Sequence, residues 1–407
     1  MRSVKMNHRV LTILLATLAL NFGAFAQKLI DKSLPPNDPK NDPYTLGDPD
    51  VMKGAGILSH GGFDFGETNT EDVEKFMSTS DIRWLETEHF QIGFALGSYK
   101  LNPKEKKAMR LELTRLAKRL PSVNPKAKIL DPWLRTHLFA MRLEDMYADF
   151  LKLVQLEQSV FPDGSKPWNR TGIYRGEGPH LGMRDKYELM ILPSKAAHLA
   201  FMNKHFGLTS PRTQRWNVVH RESLTLTLHT QQGSLKVDEC LHGHIAFSMG
   251  INFLNGLEHY TYDIPIWLRE GIGHWAERRV TQKFNTFDGA EGSIPETSRE
   301  SDWSGAAKKA ISQEKAPRIA SLMAMRGFGD LVLTDHFSVW SMIDFLHTAH
   351  PKEFAMFIQA LKGRTNEDGF SDLSDVPAYH RSIFKEHLGM SYSAFDTAWR
   401  EWALVNY

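Results

Sequence analysis

The fold is decided by two stretches of sequence, residues 235–247 (LKVDECLHGHIAF) and residues 265–277 (PIWLREGIGHWAE). The first stretch follows a run in which apolar residues alternate with threonine, and its own pattern predicts a helix. Asp238 and His242 are four residues apart, so they share one face of that helix. The second stretch opens with a proline and carries an acid, Glu270, early, which also predicts a helix.

The first helix carries the residue types of a metal site. Two ligands four residues apart, with a glutamate beside the first, are the arrangement that a zinc peptidase uses. In that arrangement Glu239 would be the general base that takes a proton from metal-bound water. The acids could instead be a solvated helix start, where carboxylates favour the positive end of the helix dipole. The spacing alone does not decide, because 48 acidic residues and 18 histidines produce such pairs by chance.

The second stretch makes the zinc interpretation more specific. Its pattern Pro-x-Trp-Leu-x-Glu-Gly, residues 265–271, resembles the third-ligand segment of the gluzincin metallopeptidases, in particular the bacterial peptidase MA-like group. The resemblance covers about residues 180–405, including a helical C-terminal part. It implies a zincin-like fold, a zinc ion and a peptide or protein substrate. It also implies four site residues, which are the metal ligands Asp238, His242 and Glu270 and the general base Glu239.

One position departs from the family pattern. Asp238 stands where the family has histidine, so the ligand set would leave Zn²⁺ without net charge and less able to activate its bound water. The additional oxygen ligand also favours other divalent metals, or the site binds no metal. His274, four residues after Glu270, would either hydrogen-bond Asp238 or bind the metal itself and restore a His/His/Glu set with His242. The sequence therefore predicts a zinc metallopeptidase. The alternative is an inactive zincin-like binding or scaffold protein that has lost a ligand.

The amino terminus has the features of a secretory signal peptide. Three basic residues precede an apolar run at residues 10–20, and residues 24–26 (AFA) predict cleavage after Ala26. The run is shorter than the roughly 20 apolar residues of a bilayer span. We therefore expect an exported protein, periplasmic or secreted, with no membrane span after cleavage.

Composition limits the other classes of function. The chain has 407 residues, of which 42% are hydrophobic and 11% aromatic, so it is expected to be globular. Its 49 basic and 48 acidic residues leave a net charge of +1, which gives no electrostatic reason to expect a nucleic acid partner. The single cysteine, Cys240, excludes an internal disulfide. The sequence makes no prediction about oligomeric state.

The order of the patterns predicts an α+β chain with a small mixed sheet, metal-site helices and a helical C-terminal part. Strands are predicted at residues 82–85, 89–94, 187–192 and 223–228, and helices at residues 103–120, 132–156 and 194–206. The chain is accordingly divided into a signal peptide (1–26), a Pro/Gly-rich leader (27–80), an N-terminal α/β part (81–235), the metal-site helices (236–283) and the C-terminal part (284–407).

Overall fold

A computed structural model describes residues 40–77, 81–165, 173–261, 263–287, 301–325, 327–366 and 371–407. The predicted signal peptide lies outside these residues. The strands are β1 (Asp64–Phe65), β2 (Thr68–Asn69), β3 (Arg83–Glu86), β4 (Phe90–Phe94), β5 (Tyr99–Lys100), β6 (Ile129–Leu130), β7 (Tyr187–Leu192), β8 (Gln214–Val218) and β9 (Ser223–His229).

The described helices are more extensive than the strands. They are α1 (Pro49–Ala55), α2 (Thr70–Phe76), α3 (Lys106–Leu116), α4 (Pro132–Val154), α5 (Lys195–Phe206), α6 (Asp238–Gly256), α7 (Ile266–Val280), α8 (Trp303–Ser312), α9 (Ile319–Met323), α10 (Leu333–Ala349), α11 (Pro351–Lys362), α12 (Val376–Leu388) and α13 (Tyr392–Asn406). The predicted mixed α/β character, with a helical C-terminal part, is confirmed.

The main sheet has five strands in the order β3-β4-β7-β9-β8. Strands β4, β7 and β9 are parallel, and the outer strands β3 and β8 pair antiparallel to their neighbours. Every residue of β7 and β9 is buried, as expected for central strands that are covered on both faces. The prediction of a small mixed sheet is therefore confirmed.

The described part of the leader contains regular structure. Asp48 and Asn69 accept hydrogen bonds from backbone N–H groups at the starts of α1 and α2, and Pro49 occupies the first position of α1. The Asp42 carboxylate lies 2.9 Å from His137 Nε2 on α4. Part of the proline content of the leader therefore serves helix initiation.

Helix α6 is the central helix of the fold. All of its residues except Glu239 and His242 are buried, and it contacts both β9 and α4. Helix α7 begins after Pro265 and packs along α6. On its other side α7 contacts α10, one of the C-terminal helices. None of the described helices combines the length and apolar character that a bilayer span requires.

Candidate metal centre

Three possible metal ligands meet where α7 packs against α10. Glu270 and His274 are one helical turn apart on α7, His336 is in the first turn of α10, and all three side chains are completely buried. Their ligand atoms lie close enough to share one ion. Within the described ranges this is the only such group of three.

The distances suit a zinc ion. His274 Nε2 lies 2.8 Å from His336 Nδ1, and Glu270 Oε2 lies 3.8 Å from each of these nitrogens. The point equidistant from the three atoms lies in their plane, about 2.0 Å from each, which matches Zn–N and Zn–O bond lengths. For tetrahedral coordination the three atoms would shift to about 3.3 Å from one another, and this breaks the hydrogen bond between the two imidazoles. Two neutral imidazoles and one carboxylate would leave Zn²⁺ with one net positive charge. This donor set is one that zinc sites use.

A glycine allows the two helices to approach so closely. A Cβ atom at Gly271 would lie 2.6 Å from Ile343 Cγ1 and 2.9 Å from the Val339 carbonyl oxygen on α10. Any larger residue would push the helices apart. Glu270, the residue before this glycine, is completely buried.

The surroundings of His274 keep its imidazole neutral. Burial lowers the pKa of His274 well below its usual value, and His336 and Arg278 act in the same direction. The rings of Phe247, Phe287 and Trp303 lie 5.0, 5.7 and 4.7 Å from the His274 ring. A neutral imidazole in an apolar enclosure can bind a metal without first losing a proton.

The second nitrogen of His274 faces a carboxylate. His274 Nδ1 lies 3.6 Å from Glu277 Oε2, one turn further along α7. Burial raises the pKa of Glu277 to about 8, although hydrogen bonds from Thr286 oppose this effect. Metal-binding histidines in general donate their other N–H to such a group.

Two of the residues predicted as site residues have other partners. Asp238 is buried, and it accepts a hydrogen bond of 2.8 Å from Nη2 of Arg142, which is buried on α4. Glu239 accepts hydrogen bonds of 2.8 Å from Thr281 Oγ1 and 2.9 Å from Lys283 Nζ. Both carboxylates are therefore engaged away from His274.

The predicted ligand His242 lines a cleft of about 460 Å³ between α4, α6 and α7. Its ring packs edge-on against Phe139, with 6.3 Å between the ring centroids. Burial, together with the charge of Arg142, lowers the pKa of His242 well below its usual value. His242 is thus a neutral imidazole at a cleft separate from the buried group.

The packing of α6 against α7 explains why the structure does not assemble Asp238, His242 and Glu270. The helices are antiparallel, with Gly243 against Thr281 and Gly250 against Ile272 and Ala276. Residues that are equally far from the segment joining α6 to α7 therefore face each other. The predicted motif is at the start of the 19-residue helix α6, whereas Glu270 is near the start of α7, opposite the end of α6. About twelve residues, or roughly 18 Å of helix, separate His242 from that level.

The structure does not bring His274 next to the residues that either predicted alternative paired with it. Its close polar neighbours are Glu270, Glu277 and His336, and Asp238 and His242 are not among them. Sequence reasoning did not select His336. It follows His274 by 62 residues, and no acid or histidine lies three or four residues from it along its own helix.

A groove of about 540 Å³ runs beside β8, which is an edge strand of the described sheet. Asn252 and Asn255 of α6 line it, together with Arg269, the neighbour of Glu270. Asn252 is 1% exposed, and neither atom of its amide hydrogen-bonds within the described part of the chain. Asn255 Oδ1 is also buried without a hydrogen-bond partner in the described part of the chain. Buried amides of this kind require a polar partner.

Comparison with known proteins adds no assignment. No protein family model matches the chain, and no curated protein is detectably similar to it in sequence.

Proposed function

We propose that this chain is an exported, zincin-like protein that binds zinc through Glu270, His274 and His336 and holds an extended peptide beside β8 without cleaving it. The observation that carries the proposal is the ligand triangle, whose three atoms are equidistant from one point at zinc bonding distance. The gluzincin resemblance of the α7 sequence agrees with a zincin-like fold.

The groove supports the peptide part of the proposal. Strand β8 pairs with β9 on one side and ends the described sheet on the other. An edge strand presents N–H and C=O groups that an extended peptide can pair with. The groove is lined by the polar side chains of Gln214 and Asn217 of β8 as well as by Asn252 and Asn255, which suits the main chain of a peptide.

Two features favour binding over hydrolysis. The three ligands are completely buried, and aromatic rings enclose His274. The predicted base, Glu239, contacts Thr281, which follows His274 by seven residues, or about 10 Å along the helix. A general base has to be within hydrogen-bond reach of the proton that it takes.

A zinc metallopeptidase remains the second candidate. Three protein ligands leave a fourth coordination position free, which is typical of catalytic rather than structural zinc sites. A bound zinc ion would polarise the carbonyl of a peptide at that position. In this candidate Glu239 is the predicted base.

Metal analysis of the purified mature protein tests the zinc site. We expect near-stoichiometric zinc in the wild type and in His242→Ala, and loss of zinc in His274→Ala and His336→Ala. Retention of zinc in His336→Ala, with loss in His242→Ala, would overturn the assignment of the ligands.

Assays with a peptide library separate the two candidates. The binding protein retains peptides without cleaving them. Cleavage that is lost in Glu239→Gln, with zinc still bound, would favour the peptidase. Cleavage that is unchanged in Glu239→Gln would exclude Glu239 as the base.

A further inference from the structure

We propose that Glu277, Thr286 and His244 form a hydrogen-bonded chain that positions His274 for metal binding and ends at Thr213 beside the groove. The inference rests on the proposed zinc site. It adds positioning residues that the sequence pattern does not indicate, and it connects the metal ligands to the groove.

The first link joins the metal ligand to a carboxylate. Glu277 is buried on α7, three residues after His274, and its Oε2 lies 3.6 Å from His274 Nδ1. His274 Nε2 is the nitrogen that faces Glu270 and His336. A metal on Nε2 requires the proton on Nδ1, and the carboxyl group of Glu277 faces that nitrogen at a distance just beyond a hydrogen bond. In its ionised form Glu277 therefore favours the tautomer of His274 that can bind the metal.

The second link fixes the carboxylate itself. Thr286 donates its hydroxyl to Glu277 Oε1 at 2.5 Å and its backbone N–H to Glu277 Oε2 at 3.0 Å. Both oxygens are therefore held by one residue, from the segment that follows α7. Two donors at fixed positions prevent the carboxylate from rotating away from His274.

The third link fixes the threonine hydroxyl. Thr286 Oγ1 has one proton, which it gives to Glu277, so it accepts a hydrogen bond from His244 Nδ1 at 3.1 Å. His244 Nε2 is then the bare nitrogen, and it accepts from Thr213 Oγ1 at 2.7 Å. The Thr213 hydroxyl also lies 3.2 Å from Gln232 Oε1, which accepts the Thr213 backbone N–H at 3.0 Å.

All donors in the chain point toward the metal site. Thr213 donates to His244, His244 to Thr286 and Thr286 to Glu277, and His274 Nδ1 lies 3.6 Å from Glu277 on the other side. Thr213 precedes β8 and lines the groove. The orientation of a buried metal ligand is thus fixed by contacts that begin where we propose that peptide binds.

Zinc affinity measured by competition with a chromophoric chelator tests the chain. Glu277→Gln should weaken zinc binding by about 10- to 100-fold, the range found when the partner of a metal-binding histidine is removed. Thr286→Val should weaken it less, and Thr213→Val least. Thr286→Ser, which keeps the hydroxyl, should bind zinc as the wild type does.

A spectroscopic measurement distinguishes positioning from a general structural role. The visible absorption bands of the cobalt-substituted protein should shift in Thr286→Val, although the hydrogen bonds of Thr286 go to Glu277 and His244 and not to the three ligands. Thr136→Val is the matched control. Thr136 is fully buried, whereas Thr286 is partly buried, and Thr136 donates one hydrogen bond to Pro132 O within α4, so the zinc affinity and cobalt spectrum of this variant should not change.

The outcomes separate this inference from the proposed function. Wild-type affinity and an unshifted cobalt spectrum in both Glu277→Gln and Thr286→Val would overturn the chain while leaving the zinc site in place. An equal loss in Thr136→Val would overturn it as well, because the effect would then be general destabilisation. A wild-type protein that binds no zinc would overturn the proposed function first and the chain with it.

Discussion

Gly271→Ala tests whether the contact between α7 and α10 sets the geometry of the metal site. The new Cβ atom would lie 2.6 Å from Ile343 Cγ1 and 2.9 Å from the Val339 carbonyl oxygen. Nonbonded carbon atoms are most stable at roughly 3.5–4.0 Å. The two helices therefore have to separate by about 1 Å to accept the methyl group.

This separation acts directly on the ligands, because Glu270 and His274 belong to α7 and His336 belongs to α10. If His336 moves about 1 Å from both, the equidistant point lies about 2.4 Å from each ligand atom, beyond a Zn–N bond. We expect zinc to bind at least about tenfold more weakly, a loss of about 1.4 kcal/mol. Overpacking should also lower the free energy of unfolding of the metal-free protein by about 1–3 kcal/mol.

Gly273→Ala is the matched control. Its Cβ atom would lie 2.8 Å from two ring carbons of Phe247 on α6, so the same methyl group on the same helix displaces α6 rather than α10. Chelator competition measures zinc affinity, and urea unfolding measures the stability of the metal-free variants. Equal zinc loss in both variants, or unchanged zinc affinity in Gly271→Ala, would refute the reasoning.

Three further predictions concern the metal, a buried ion pair and the cysteine. Zinc at about 100 times its Kd should raise the free energy of unfolding by about 2.7 kcal/mol; thermal unfolding should show this gain in His242→Ala and not in His336→Ala. Arg142→Met should lower the free energy of unfolding by about 3–5 kcal/mol, because it leaves Asp238 buried without its partner. In urea unfolding the double variant Arg142→Met/Asp238→Asn should recover part of this stability, and no recovery would contradict the ion pair. Burial raises the pKa of the Cys240 thiol to about 12, so iodoacetamide at pH 8 should alkylate it only as fast as the protein opens, and rapid labelling of the folded protein would contradict its burial.

Most of the sheet could be predicted from the sequence because its inner strands are strongly apolar. The predicted strands at residues 187–192 and 223–228 correspond to β7 and β9, which are buried on both faces. Strand β8 was not predicted, because its sequence QRWNV is polar and four of its five residues are only partly buried. An edge strand carries less of the apolar signal on which such predictions depend.

The candidate site was only half predictable, for a geometric reason. Glu270 and His274 are one turn apart on α7, so their common face follows from spacing alone. Their partner depends on which helix packs across that face, and sequence spacing does not encode that packing. The sequence interpretation placed α6 residues there by analogy with gluzincins, whereas the structure places His336 of α10 next to them.

The origin of the three ligands has a consequence for folding kinetics. Glu270 and His274 become neighbours as soon as α7 forms. His336 is 62 residues after His274 in the sequence, so it joins them only when α10 has packed against α7. A complete site therefore exists only late in folding. An interaction that is absent from the transition state slows unfolding and leaves the folding rate almost unchanged. Zinc would thus act on this protein chiefly by prolonging the lifetime of the folded state.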